Sequence, residues 1–491
     1  MHPTRQETLE ALPPPAFYVG GTWVTEAGAE VCEHVDPTTG RVSGPYLSAG
    51  PEDMKGAVLA ARHALPGWSG AAPSVRRATL LRLADLIEAA APELAAVMAL
   101  EMGQPVRAAV AGATHAAEWF RYYAGWADKV EGSLAPVSPG RVLDYVVPEP
   151  YGVIGVIIPW NGPVISLAMK LAPALAAGNC VVVKPPGQTP FSSLRFAALC
   201  EQAGVPAGVV NVLPGGAQAG EALCSDPGLD KISFTGGGVA ARAVAQAAAD
   251  HHTPLILELG GKSASLIFDD ADPRVAGKLA AVLGVQQNSG QGCFLPTRVF
   301  VQQALYEEVV ERVVAAVERF TLGDPFDPTV TMGPVAGEAA CARIIDVVRT
   351  ASEREEGTLL IGGGRAGGEL AAGSFVEPAV FRDVTPTSPL AQEEIFGPVL
   401  AIGSFEDEAE AIALANGTRY GLAGYVWTND LGRAHRVSAA LEAGYVSVNG
   451  MAALPPSAPF GGFRGSGHGV EGGRWGIEEF LRVKNVHVAL G

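Results

Sequence analysis

The chain has 491 residues, 48% of them hydrophobic, and a formal net charge of −17 at pH 7. That length supports two or three domains with large cores, and the composition implies no disorder. The negative balance argues against nucleic acid or an anionic membrane surface as partners, since both need clustered Lys and Arg, and favours a small-molecule substrate.

The opening stretch, MHPTRQETLEALPPP, carries no apolar segment behind its charges and contains acidic residues that organellar transit peptides lack. A cytoplasmic location is the expectation. The apolar runs at 153–158 and 181–183 fall far short of the roughly twenty residues that span a bilayer. Six cysteines, at positions 32, 180, 200, 224, 293 and 341, lack paired spacing, so neither a disulfide framework nor a metal site is expected. Residues 1–50, rich in Pro, Gly and Thr, read as an arm lying on a domain, with extended pieces at 17–19 and 46–47. Apolar spacings of three and four then predict helices over 51–64, 74–90, 92–102 and 105–126, with Leu80, Leu81, Leu83 and Leu86 facing one core. Residues 131–148 form an extended region interrupted by Gly and Pro, with Val142, Tyr145 and Val146 in strand positions.

From 151 to 259 strands and helices alternate, with strands at 153–158, 180–183, 209–212, 231–234 and 255–257 and helices at 164–176, 191–203 and 240–249. Such alternation predicts an α/β fold with a parallel sheet covered on both faces and ligands at the carboxyl ends of the strands. A second alternating set runs from 265 to 448, with strands near 265–268, 298–301, 358–361 and 399–403. The tail at 479–490 ends in alternating RVKNVHVAL, an edge strand that needs a partner.

Three polar residues stand where this pattern would put ligands. Cys293 follows the glycine-rich run Asn288-Ser289-Gly290-Gln291-Gly292, a setting that lets backbone approach a substrate and leaves the sulfur accessible. Glu258 leaves an apolar strand directly into Gly260 and Gly261, and Asn161 ends the run VIGVIIPWN. A thiol, a carboxylate and an amide are the parts for covalent catalysis on a carbonyl: nucleophile, general base and oxyanion donor. Each also has a plainer reading: a buried cysteine, a carboxylate capping a Gly-Gly turn or paired with Lys262, and an Asx turn. Phe234-Thr235-Gly236-Gly237-Gly238 closes a strand and opens an alanine-rich helix whose N-terminal N–H groups suit a pyrophosphate, although three glycines are also a flexible turn.

Pro159-Trp160-Asn161, Lys184-Pro185, Phe234-Thr235-Gly236, Glu258-Leu259-Gly260-Gly261-Lys262, Gly290-Gln291-Gly292-Cys293 and Glu394-Ile395-Phe396-Gly397-Pro398 occur in this order. Together they resemble the NAD(P)-dependent aldehyde dehydrogenase superfamily over nearly the whole chain. The resemblance implies two Rossmann-like parallel-sheet domains and a small β arm. Residues 1–130 with 149–259 would bind the dinucleotide, 260–478 would form the catalytic domain, and 131–148 with 479–491 would make the arm of a homodimer or homotetramer. It implies Cys293 as nucleophile, Asn161 with the Cys293 N–H as oxyanion site, Glu258 as base, and Lys170 as a proton relay; a solvated helix lysine is the other reading of Lys170. Ile158, Pro159, Trp160, Lys184, Gly187, Phe234, Thr235, Gly236, Gly237, Leu259, Gly260, Glu394 and Phe396 would contact NAD or NADP. Within that set Lys184 would meet the adenine ribose, Glu394 the nicotinamide ribose and Phe396 the nicotinamide ring. The family commonly has Ser at Gly237, so one hydroxyl contact is missing. Many NAD-preferring relatives have Glu at Gly187, so weak discrimination between NAD and NADP is expected.

The substrate pocket is assigned to Gly162, Gly292, Phe294 and Phe460, with residues 451–458 at the entrance. Many relatives carry a large aromatic residue at Gly162. Its absence, with Gly292 beside the nucleophile, predicts a wide pocket for bulky aromatic or long apolar aldehydes, unless both glycines serve the backbone. Alternatives are a semialdehyde acid held by Arg121 or Arg464, transfer of the acyl group to CoA, and a non-catalytic binding or structural protein. The presence of Glu258, needed for hydrolysis, argues against CoA transfer. The retention of Cys293, Asn161 and Glu258 argues against a non-catalytic role.

Overall fold

The computed structural model describes residues 2–25, 30–137, 142–450 and 454–489. The strand–helix alternation of the sequence becomes two mainly parallel sheets. The first has eight strands in the order Gly467–His468, Leu255–Glu258, Lys231–Thr235, Val153–Ile157, Cys180–Lys184, Val210–Val212, Phe17–Val19 and Thr22–Val24. Its five inner strands are parallel, and the flanking strands run antiparallel. Val153–Ile157 is buried throughout, as a strand covered on both faces must be. The register sets Thr235 against Glu258, Phe234 against Ile157, and Ile157 against Lys184. Their carboxyl ends therefore form one ledge that carries most of the candidate residues.

The second sheet has the order Thr358–Ile361, Ala379–Arg382, Val399–Phe405, Arg298–Gln302, Ala264–Ile267, Ala423–Trp427 and Tyr445–Val448, parallel except at its first strand. Three of these strands have no counterpart in the sequence reading. In one of them, Ala423–Trp427, Gly424 interrupts the β-branched pattern because Leu441 packs where its side chain would stand, 2.9 Å from the Cβ position.

Helices over Pro51–Ser69, Pro73–Ala89, Ala91–Met102 and Val106–Ala124 match the expected segments, the first running further past its internal Pro66. Leu80 and Leu83 are fully buried, but Leu81 is 39% exposed and does not join that core. Successive helical residues turn by about 100°, which carries Leu81 off the face shared by positions three apart. The N-terminal arm contains a helix, Arg5–Glu10, closed by a Thr4–Glu7 capping box. Residues placed at the end of the second domain instead serve the first sheet. Gly467–His468 pairs with Leu255–Glu258, and Ile477 joins the first core.

The tail strand does find its partner within the chain. Leu481–Ala489 pairs along its whole length with Val142–Pro150, from Leu481 opposite Pro150 to Ala489 opposite Val142, and Ser133–Leu134 adds a third strand. Each of these two strands covers one edge of the other, and among the described residues the outer edge of Leu481–Ala489 is left without a partner in the sheet. Residues 138–141 and 490–491, within the predicted arm, lie outside the described residues.

Candidate active site

The loop that delivers Cys293 turns sharply before reaching it. Asn288, Ser289 and Gly290 all have φ in the left-handed region, at 48°, 52° and 72°. Two of the three carry side chains, a conformation that persists only where neighbours hold it. Gly290 is required here, since a Cβ would strike the carbonyl of Gly397. Ser289 Oγ donates to Gly333 O at 2.8 Å, and Ala336 N donates to Gln291 Oε1 at 2.9 Å. Asn288 Nδ2 donates to Asn161 O at 3.0 Å and to Gln291 O at 2.9 Å, while Asn161 Nδ2 donates to Gln291 O at 3.1 Å. Asn161 thus lies against the nucleophile loop, and its amide has a second N–H to offer. Asn288 is the link between the two, a role that its place in a polar run did not reveal.

Cys293 is half-buried and all six cysteines are free. Burial, and then the Glu394 and Glu258 carboxylates, push its thiol up to about 12. A resting thiol is the consequence, so a base has to take its proton, and a nearby cation would stabilise the thiolate. Glu258 is 3% exposed and neither carboxylate oxygen has a protein hydrogen-bond partner. Burial and the Glu471 carboxylate push it well above the usual carboxylate range, with Lys170 opposing them. A buried carboxylate with two empty oxygens is placed to take a proton from water.

Lys170 is not a solvated helix lysine. The helix Pro163–Ala177 is apolar on nearly every side, and Lys170 inside it is fully buried. Its Nζ meets Glu471 Oε1 at 2.6 Å and Ser233 Oγ at 3.0 Å. Glu471 was not legible in the sequence, because it sits in a glycine-rich loop some three hundred residues away. Nor does Lys262 pair with Glu258. Its Nζ is buried without a hydrogen-bond partner, and burial, then Arg298, brings it down to about 7.

The ledge also has the shape for a dinucleotide. A Cβ on Gly237 or Gly238 would meet nothing within 4 Å, so the start of the helix Gly238–Ala249 faces open space, with no side chain capping it. Glu394 is raised to about 7 by burial, and its Oε1 accepts from Gly261 N at 3.0 Å. Gly260 leaves room for it, since a Cβ there would displace that carboxylate. Phe396, at φ 55°, sets its ring edge-on to Trp160 with centroids 5.4 Å apart. Lys184 Nζ donates to Gly215 O at 2.9 Å and is brought down to about 8 by burial. Phe234, Thr235 and Gly236 end one strand, and Ile158 and Pro159 follow another. Leu259 N donates to Ser466 O at 3.0 Å. An open helix start, a half-buried carboxylate and a strand-end lysine on one ledge fit NAD(P).

A model of the aldehyde dehydrogenase family matches residues 23–486. The chain belongs to the aldehyde dehydrogenase family. It is 40% identical over 481 residues to an aldehyde dehydrogenase of Emericella nidulans, covering 97% of this chain and 96% of that one. It is 41% identical over 480 residues to retinal dehydrogenase 2 of Homo sapiens, covering 96% and 92%. The betaine aldehyde dehydrogenase of Staphylococcus aureus in complex with NAD+ superposes with a TM-score of 0.96 at 33% identity, covering 99% of this chain and 97% of that one. The chain is therefore an oxidoreductase of α/β fold with two Rossmann-like domains.

Around Cys293 this family member carries an aromatic wall. Phe294 and Phe460 meet edge to face at 6.1 Å, Tyr445 lies 6.3 Å from Phe460, and Tyr425 lies 6.2 Å from Tyr445. Tyr425 Oη donates to Phe294 O at 2.8 Å. Gly162 and Gly292 are not equally open. A Cβ on Gly292 would press within 2.8 Å of Leu295, so the space thought to be emptied there is already filled. On Gly162 a Cβ would meet only an Ile165 methyl, at 3.1 Å, and neither glycine has a left-handed φ. Of the predicted entrance, residues 451–453 lie outside the described residues. Arg121 is engaged by Glu88, Glu118 and Asp85, and Arg464 by Glu442 and two backbone carbonyls, so neither is free to hold a substrate carboxylate.

Proposed function

We propose that this enzyme oxidises a bulky aromatic or long apolar aldehyde to its carboxylic acid, with NAD or NADP, by covalent catalysis at Cys293. The observation that carries the reading is the meeting of Cys293, the Asn161 amide and the buried, unpartnered Glu258 at one ledge. The Cys293 sulfur, once deprotonated, attacks the aldehyde carbon, and the oxyanion of the resulting thiohemiacetal accepts from the free N–H of Asn161 and the backbone N–H of Cys293. Oxyanion donors of this kind are each worth ~3 kcal/mol. When bound, the oxidised nicotinamide supplies the acceptor for the hydride, and its positive charge favours the thiolate. The chain is left as a thioester on Cys293. Glu258 then takes a proton from a water, whose oxygen adds to the acyl carbon, and the Cys293 thiolate departs. Lys170 and Glu471 offer that proton an onward path from Glu258. Glu258's two empty oxygens favour hydrolysis over transfer to CoA.

The aromatic wall supports the apolar substrate, and one relative is named for retinal, a long apolar aldehyde. A phenyl group added at Gly162 would start beside Ile165, the one side chain that a Cβ there would meet. Gly162→Phe should lower kcat/KM for benzaldehyde or decanal at least about tenfold more than for acetaldehyde or propionaldehyde, the scale on which an apolar pocket discriminates. Equal losses would show that Gly162 serves the backbone and not the pocket.

We also propose that the three-stranded arm joins subunits into a dimer or tetramer, since the outer edge of Leu481–Ala489 stays open and Val483 is 76% exposed. Removing the residues after Arg482 takes the partner from most of Val142–Pro150. Light scattering should then find monomer or aggregate of low activity, and a fully active monomer would refute the assignment. Six free thiols suit a reducing compartment, and we place the enzyme in the cytoplasm. No described helix is long and apolar enough to cross a membrane.

A further inference from the structure

Gly187 lies three residues beyond Lys184, on the loop that leaves the strand Cys180–Lys184. A side chain has no room there, because a Cβ on Gly187 would run into the Tyr46 hydroxyl and stand 3.1 Å from its Cζ. Gly187 has no left-handed φ, so what glycine provides at this point is space, and Tyr46 fills it. Tyr46 comes from the strand Val42–Ser48, whose end is tied into the same corner. Ala49 N donates to Pro214 O at 2.8 Å, Gly215 N to Pro185 O at 3.1 Å, and Lys184 Nζ to Gly215 O at 2.9 Å. The phenol is half-buried beside the Cys32 side chain, and burial, then Cys32, pushes it up to about 12, so it remains a neutral hydroxyl.

We propose that the Tyr46 hydroxyl, standing in for a side chain at position 187, reads the adenine ribose of the dinucleotide. The inference rests on the cofactor site described under the proposed function. A phenol donates one hydrogen bond and accepts another, so it can serve a ribose 2′-hydroxyl or donate to a 2′-phosphate. Being uncharged, it repels neither, and Lys184 can meet a ribose hydroxyl or a phosphate alike. The two cofactors should therefore bind with dissociation constants within about tenfold of each other, since neither gains an exclusive contact.

Calorimetric titration of NAD and NADP into the intact enzyme tests this. Tyr46→Phe should raise both dissociation constants about three- to tenfold, the effect of one lost hydrogen bond. Unchanged affinities, or a loss confined to one cofactor, would overturn the proposal. Gly187→Glu should lose most binding of both, because its side chain and Tyr46 compete for one place. Adding Tyr46→Ala to that variant should restore NAD at least about tenfold while leaving NADP weak, since a carboxylate accepts from ribose hydroxyls but repels phosphate. A Gly187→Glu protein that binds NAD as the wild type does would also overturn it, and if that variant fails to fold, Tyr46→Phe still decides. Wild-type protein that binds neither dinucleotide would instead refute the cofactor reading beneath the proposal.

Discussion

Replacing Cys293 with Ala should lower aldehyde oxidation by at least about 10⁴-fold while leaving dinucleotide binding intact, because in the proposed mechanism the thiol forms the covalent intermediate but does not hold the cofactor. The substitution is mild for the fold. Cys293 is half-buried, and its backbone is positioned by Asn288, Ser289, Gly290 and Gln291 rather than by its own sulfur. Stopped-flow absorbance at the reduced-nicotinamide band reads the loss, and calorimetry with NAD reads the binding. Oxidation surviving near the wild-type level would end the covalent mechanism. Cys180, Cys200, Cys224 and Cys341 are buried and cannot substitute, so residual activity could not be assigned to them.

Glu258→Gln separates the two halves of the reaction. The amide keeps the shape of the side chain but cannot take a proton from water, so one equivalent of reduced cofactor should appear in a burst before turnover stalls at the thioester. Normal steady-state turnover would mean that another base hydrolyses the intermediate. The pH dependence carries the same argument. As the proposed base, Glu258 would work only when deprotonated, and burial with the neighbouring Glu471 raises it well above the usual carboxylate range. Below that raised value most molecules hold the wrong protonation state, so wild-type deacylation should climb by about tenfold per pH unit from acid toward neutrality, and the Gln variant should lose this rise. A wild-type profile already flat just above the usual carboxylate range would count against Glu258, by the ordinary logic that a base is active only above its own pKa.

The structure also narrows the choice among substrates. Both arginines considered as carboxylate clamps are committed elsewhere, Arg121 to three acidic residues and Arg464 to Glu442 and backbone oxygens. A semialdehyde acid would have to be held by other residues. Gly292, read as an emptied position, is packed by Leu295 three residues on, which leaves Gly162 and the aromatic wall to support the proposed wide pocket.

Much of this protein is determined by its sequence locally. Strand–helix alternation specifies the parallel sheets because a buried strand needs a continuous apolar run and a crossover helix of fixed minimum length, and both are visible within some thirty residues. Cys293, Glu258 and Asn161 stood out for a related reason, since each ends an apolar run or follows a glycine-rich turn whose composition is itself local, whereas Glu394 was picked out only by the family resemblance of its EIFGP context. Only the tertiary structure decided what those groups touch. Lys170 meets Glu471 rather than water because an apolar helix is buried on all sides and a distant loop closes over it, a contact with no counterpart in sequence spacing. Lys262, four residues from Glu258, does not pair with it, and its buried amine feels Arg298 and Glu394 instead. The tail strand's partner, the Tyr46 hydroxyl above Gly187 and the Leu295 side chain against Gly292 follow the same rule. Alternation and turn chemistry act over a few residues, whereas side-chain contacts depend on which distant surfaces the packed core brings together.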